Sequence, residues 1–161
     1  RGSNHDITEQ KRVDEELNAY RQHLEQRVEQ RTQELSQRSR ELTDLYDNAP
    51  CGYHSLDRNG TIISVNATEL ALLGYSHEEF VGHPVSEFLT SEGKRLFKQQ
   101  FFVFSQTGKV RDFELPFIKK DGTTLPCLIS SDLMRDENGG FAYSRSTLVD
   151  NRERKEAEEA L

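Results

Sequence analysis

The chain has no tryptophan, one methionine, two cysteines and four prolines among 161 residues, and only 9% of it is aromatic. Cys51 and Cys127 stand far apart with no CxxC spacing, so neither a disulfide framework nor a zinc site is indicated, and a reducing compartment fits best. No apolar run approaches the roughly 18–20 residues that span a bilayer, and no apolar stretch follows a basic start as in a signal peptide. A soluble, cytoplasmic piece without direct membrane contact is therefore expected, with any membrane anchor left to a longer protein. Basic blocks are missing too: 21 Lys and Arg face 28 Asp and Glu, for a net charge of −7, which gives nucleic acid little to hold. Paired carboxylates, an HExxH helix, a nucleophile elbow and a glycine-rich nucleotide cradle are all lacking. No catalytic residues, no metal ligands and no enzyme activity are expected of this chain.

What is present begins with a long polar segment. Arg1-Gly2-Ser3 reads as a cloning remnant and is set aside. From Glu9 to Tyr46 there is neither Gly nor Pro, and Glu, Gln, Arg and Leu dominate, which predicts one helix over 9–46. Its sparse apolar stripe runs Val13, Leu17, Tyr20, Leu24, Val28, Leu35, Leu42 and Leu45. Two consecutive steps of four end at Val28 before sevenfold spacing resumes, which is a stutter that locally relaxes a supercoil. Arg31 and Arg38 fall in the seam of the second frame and weaken it. A helix of roughly 60 Å with so narrow a stripe calls for a second helix, and a parallel homodimer through Leu17, Leu24, Val28, Leu35, Leu42 and Leu45 is expected. A lone solvated helix held by charge pairs is the plainer alternative.

Asp47-Asn48-Ala49-Pro50 ends the helix, because a residue before proline is pushed out of the helical region. Gly52–Asp57 and Thr61–Val65 are β-rich runs joined through Asn59-Gly60, a hairpin signal. Asn66 stands where a cap belongs, before Ala67–Leu73 and a closing Gly74. Short helical pieces follow at Ser76–Phe80 and Pro84–Leu89, then an amphipathic stretch from Ser91 to about Gln106. Three strand-like runs, Val110–Lys119, Thr123–Met134 and Phe141–Val149, are separated by Lys120-Asp121-Gly122 and by the turn-rich 136–140. Pro116 and Pro126 belong on edges, strand starts or bulges. The expected architecture is α+β: a five-stranded antiparallel sheet with short helices on one face, preceded by a long coiled-coil helix.

The ordered elements Asn48-Ala49-Pro50, Leu56-Asp57-Arg58-Asn59-Gly60, Val65-Asn66, Leu73-Gly74-Tyr75-Ser76, Glu79-Phe80-Val81-Gly82, Lys120-Asp121-Gly122 and Leu148-Val149-Asp150 together resemble a PAS domain with its C-terminal PAC part, over 47–150. Asp6-Ile7-Thr8, followed by a charged helix start, is similar to the exit of a PAS domain. Asp150-Asn151-Arg152, ahead of the outgoing helix 151–161, echoes it with Asn and Arg in place of Ile and Thr. By this resemblance residues 4–8 close a preceding PAS/PAC domain and Asp150 with Arg152 form the signal exit. The segment 24–35 resembles helices that join sensor modules in bacterial sensor histidine kinases and diguanylate cyclases. The resemblance implies a relay between input and output domains of a two-component or similar signal-transduction protein, with those adjoining domains as partners. A marginal coil holding two packings of similar energy suits that task.

Ser76-His77-Glu78 is superficially similar to the phosphoacceptor box of histidine kinases, but Glu79-Phe80-Val81-Gly82 follows and phosphorylation of His77 is not expected. Flavin-adduct relatives carry a reactive cysteine where this chain has Gly82-His83-Pro84-Val85, and the long helix Ser91–Gln106 lacks the histidine that haem sensors use. No cofactor is expected, haem and flavin being disfavoured, with His83 and His54 the outside haem ligands. A ligand pocket between long helix and sheet has Tyr53, His54, Phe97, Phe101, Phe113, Cys127 and Ile129 as candidates, with Phe104 and Phe117 nearby. Tyr53 and His54 alternate on the first strand, so one of them faces the pocket. Any ligand would be small and largely apolar; ordinary core packing is the competing reading, as a buried inert thiol is for Cys127.

Overall fold

The computed structural model describes the backbone of residues 2–161, and the side chains of Asn4 and of every residue from Asp6 onward. Arg1 of the leading tripeptide lies outside the described residues. The chain divides into two units, one ending at Asp44 and one running Leu45–Leu161.

Helix α1 covers Gly2–Asp47 without interruption, as its lack of internal Pro and its helix-forming composition dictate. Residues 4–8 are helical within it, since α1 starts at Gly2, seven residues ahead of the expected start at Glu9. The stripe residues, from Leu24 at 39% to Leu45 at 70%, are exposed along its length.

The second unit holds strands β1 (Gly52–Leu56), β2 (Ile62–Val65), β3 (Lys109–Ile118), β4 (Thr124–Arg135) and β5 (Phe141–Asp150). They form one antiparallel sheet in the order β2-β1-β5-β4-β3. Between β2 and β3 lie α2 (Ala67–Leu73), α3 (His77–Phe80), a 3-10 turn at Val85–Phe88 and α4 (Ser91–Thr107), and α5 (Arg152–Ala160) leaves after β5. Local chemistry fixes each boundary. Asn66 caps α2 by accepting from Glu69 N, and Gly74 closes it at φ 86°, a left-handed value that a side chain resists. Ser76 and Glu79 form a reciprocal capping box on α3, and Thr90 caps α4.

Period-two alternation sends Leu125, Cys127, Ile129 and Ser131 of β4 to one face, where they meet Leu56, Leu73, Phe80, Phe117 and Leu148 in a closed core. Tyr75, Phe80 and Phe88 pack their rings together at 4.6–5.9 Å between α3 and the 3-10 turn. Pro116 sits on the edge strand β3 and Pro126 near the start of β4, directly opposite each other. Their carbonyls accept from Thr90 N and Asn151 N, so each proline turns its missing donor away from the other strand and no ladder bond is lost.

Candidate functional site

The inner sheet face and α4 enclose a cavity of about 40 Å³. One wall is apolar but for Gln100 of α4: Phe97, Phe101 and Phe104 from α4, and Phe113, Leu115 and Phe117 from β3, with Ile129 from β4. A bulge between Val110 and Phe113 turns both toward it, with Asp112 at φ 49° and its N–H bonded to Ser130 Oγ. The other wall is polar. His54 of β1 pairs with Ser146 of β5, which pairs with Ser131 of β4, so three polar side chains make one row across three strands. Ser131 and Ser146 join Oγ to Oγ at 2.6 Å, Ser144 Oγ lies 3.4 Å from Ser146 Oγ, and Leu56 N donates to Ser144 Oγ. Small hydroxyl side chains where a core strand usually carries Leu or Val leave the space that forms the cavity.

His54 is held from behind. Its Nδ1 lies 2.7 Å from Glu69 Oε1, and the two side chains are 4% and 0% exposed. Glu69 Oε2 is buried and has no hydrogen-bond partner. Gly52 gives this carboxylate its room: a Cβ there would stand 2.8 Å from Glu69 Cβ and 3.0 Å from Glu69 Oε1. Asn66, fully buried, completes the cluster. Its Oδ1 accepts from Tyr53 N and Glu69 N, and its Nδ2 donates to Tyr46 O and Cys51 O.

Of the seven pocket candidates, His54, Phe97, Phe101, Phe113 and Ile129 line the cavity. Tyr53 does not. It faces the outer side of the sheet, 6.0 Å from the ring of Tyr46, because its neighbour His54 takes the inner side. Cys127 also lies outside the cavity: it is buried on the inner face but borders a separate depression with Leu96, Pro126 and Asn151. Burial, with the Glu69 carboxylate adding to it, pushes the Cys127 thiol well above its usual range, so it acts as a small neutral core residue. His83 is exposed and 3.2 Å from Glu87, away from the cavity. At the exit, Arg152 grips Asp150 through Nη2 at 2.7 Å and Nε at 3.0 Å, and this pairing holds the Asp150 carboxyl below its ordinary range. Among the described residues no His, Cys, Asp and Glu cluster could hold a metal, and no helix is long and apolar enough to cross a membrane.

Glu69 and the three serines were beyond the reach of residue patterns. An acidic residue in a first helical turn ordinarily complements the helix dipole from the surface. The serines left one usable sign: inward-facing Leu148 with period two puts Ser146 and Ser144 on the same face.

This architecture matches known proteins. The PAS domain family matches residues 50–153, more than half of the chain, and the chain belongs to that family, whose members are sensory domains of signalling proteins. It is similar to the phosphoserine phosphatase RsbP of Bacillus subtilis (strain 168), 27% identical over 116 residues. That match covers 71% of this chain but only 28% of the phosphatase, so the chain spans less than a third of that relative's length. The PAS domain of an HTR-like protein from Haloarcula marismortui superposes with a TM-score of 0.66 at 27% identity, covering 76% of this chain and 98% of that one. A PAS domain from Colwellia psychrerythraea, at 22% identity and a TM-score of 0.62 over 72% of this chain and 95% of its own, shares the fold.

Proposed function

We propose that the chain is a non-catalytic sensory relay, in which α1 pairs in parallel with α1 of a second copy and carries a change in the PAS domain to neighbouring domains of a longer protein. The apolar stripe exposed on α1, with Leu35 and Leu42 each 66% exposed, is the observation that supports this reading. Seam arginines at 31 and 38 keep the pairing marginal and so open to switching. The relay works in the cytoplasm, without nucleic acid, membrane contact or a tightly bound cofactor. A cavity of about 40 Å³ with no cysteine on its wall supports the last point, since neither haem nor flavin fits such a space and His54 is already engaged by Glu69. The output domain belongs to the longer protein; the RsbP match adds a phosphatase to the histidine kinase and diguanylate cyclase outputs.

Light scattering and native mass spectrometry at low micromolar concentration test the pairing. The unaltered chain is expected at dimer mass, and Leu35→Asp or Leu42→Asp at monomer mass with the domain's NMR spectrum preserved. An unchanged mass in both variants removes the coiled coil from the proposal. A second reading, a receptor for a small molecule, is favoured by the polar row on the cavity wall and is tested by retained mass in the same spectrum.

A further inference from the structure

We infer that the cavity selects a small neutral molecule bearing a hydroxyl group on a short apolar body; this rests on the receptor reading above. Two groups on the polar wall are left with unused hydrogen-bonding capacity. The three serines carry three hydroxyl protons, but only two contacts link them, Ser131 with Ser146 and Ser144 with Ser146. The third contact, from Leu56 N, uses an acceptor site on Ser144 and consumes no hydroxyl proton. One O–H is therefore in surplus whichever way the chain of bonds runs.

The second group is the far nitrogen of His54. Nδ1 is committed to Glu69 at 2.7 Å, while among the described residues Nε2 makes no hydrogen bond, and the ring borders the cavity. A ligand hydroxyl accepts from the serine and donates to Nε2 when the imidazole is neutral, or accepts from Nε2–H when it is charged. It serves both protonation states because it both donates and accepts. A carboxylate only accepts and an ammonium only donates.

Charge points the same way. Among the described residues no Lys, Arg, Asp or Glu lines the cavity, and Glu69 lies behind the imidazole. A ligand anion would add a second buried negative group served by one histidine, and a cation would meet no exposed carboxylate. Apart from the neutral amide of Gln100, the rest of the wall takes an apolar body: Phe97 and Phe101 pack at 5.1 Å beside Leu115 and Ile129.

The test is an NMR titration of the full chain with propan-1-ol, propanoate and propylammonium at matched ionic strength, following the methyls of Leu115 and Ile129 and the Nε2 nitrogen of His54. Propan-1-ol should saturate these signals at least about tenfold more tightly than either ion, a ratio that one well-placed hydrogen bond supplies. The double variant His54→Leu/Glu69→Leu removes the acceptor without stranding a buried charge and should weaken the alcohol about tenfold. Ser131→Val, which fills space and deletes a hydroxyl, should abolish saturation and serves should the double variant not fold. If either ion saturates the signals as tightly as the alcohol, or the alcohol binds both wall variants as tightly as the unaltered chain, the hydroxyl assignment fails while the receptor reading stands. If none of the three probes shifts the cavity signals, both fail together.

Discussion

At the residue scale, Glu69 and Gly52 depend on each other. A fully buried carboxylate with one oxygen unpartnered is expensive, and its attraction to His54 at 2.7 Å offsets desolvation only while the pair stays close. That closeness needs α2 to approach the first residue of β1, and the atom nearest to a Cβ at position 52 would be Glu69 Cβ at 2.8 Å. A Cβ cannot swing away as the end of a side chain can, so Gly52→Ala has to move backbone. We expect a loss of about 1–3 kcal/mol, read as a lower urea midpoint at unchanged slope. In a Glu69→Gly background the obstructing atoms are gone, and adding Gly52→Ala should cost far less than it does alone. Equal costs in the two backgrounds would show that the glycine answers to something other than Glu69.

At the element scale, Asn66 ties three segments with four hydrogen bonds, the full capacity of one amide. The Oδ1 half caps α2 and receives β1 through Tyr53 N; the Nδ2 half holds the carbonyls of Tyr46 and Cys51 on either side of the chain's entry into the domain. Thr68 Oγ1 shares its one proton between Asp47 O and Ala49 O, and Asp47 Oδ1 accepts from Ala67 N. Asn66→Asp separates the halves: it keeps an excellent cap but replaces two donors by an acceptor facing two carbonyls. A loss of about 2–3 kcal/mol is expected, with faster amide exchange over 46–53 and unchanged exchange in β4. Equal protection in both regions would reduce Asn66 to a cap. The cap half was legible in the sequence, because Asn before an apolar helical run is a local signal. The latch half was not, because Tyr46 and Cys51 precede Asn66 by 20 and 15 positions and nothing local points to them. The same division runs through the site. Strands, turns and the alternation of Tyr53 with His54 follow from neighbours in sequence, whereas the partner of His54 follows from packing α2 on β1.

At the scale of the whole molecule, the two units are stabilised by different means. The domain from Leu45 onward closes a core in which Ile62, Leu73 and Leu148 have no exposure at all, so its folding is unimolecular. Among the described residues the helical unit ending at Asp44 has nothing comparable: Leu17, Val28 and Leu35 are 60–66% exposed, whereas helices in proteins draw most of their stability from packing an amphipathic face. Its order should therefore rise with concentration through pairing. Thermal melts followed by far-ultraviolet circular dichroism are expected to show two transitions. Raising protein concentration tenfold should lift the helical one by on the order of 5–10 °C and leave the domain's in place. A chain of residues 45–161 should retain the domain transition and lose the other. A single transition indifferent to concentration would instead make helix and domain one cooperative unit, and a helix that melts only with its domain could not switch its pairing while the domain stays folded. Two independent transitions leave the helix free to respond to small changes at its junction with the domain, which is the property a relay requires.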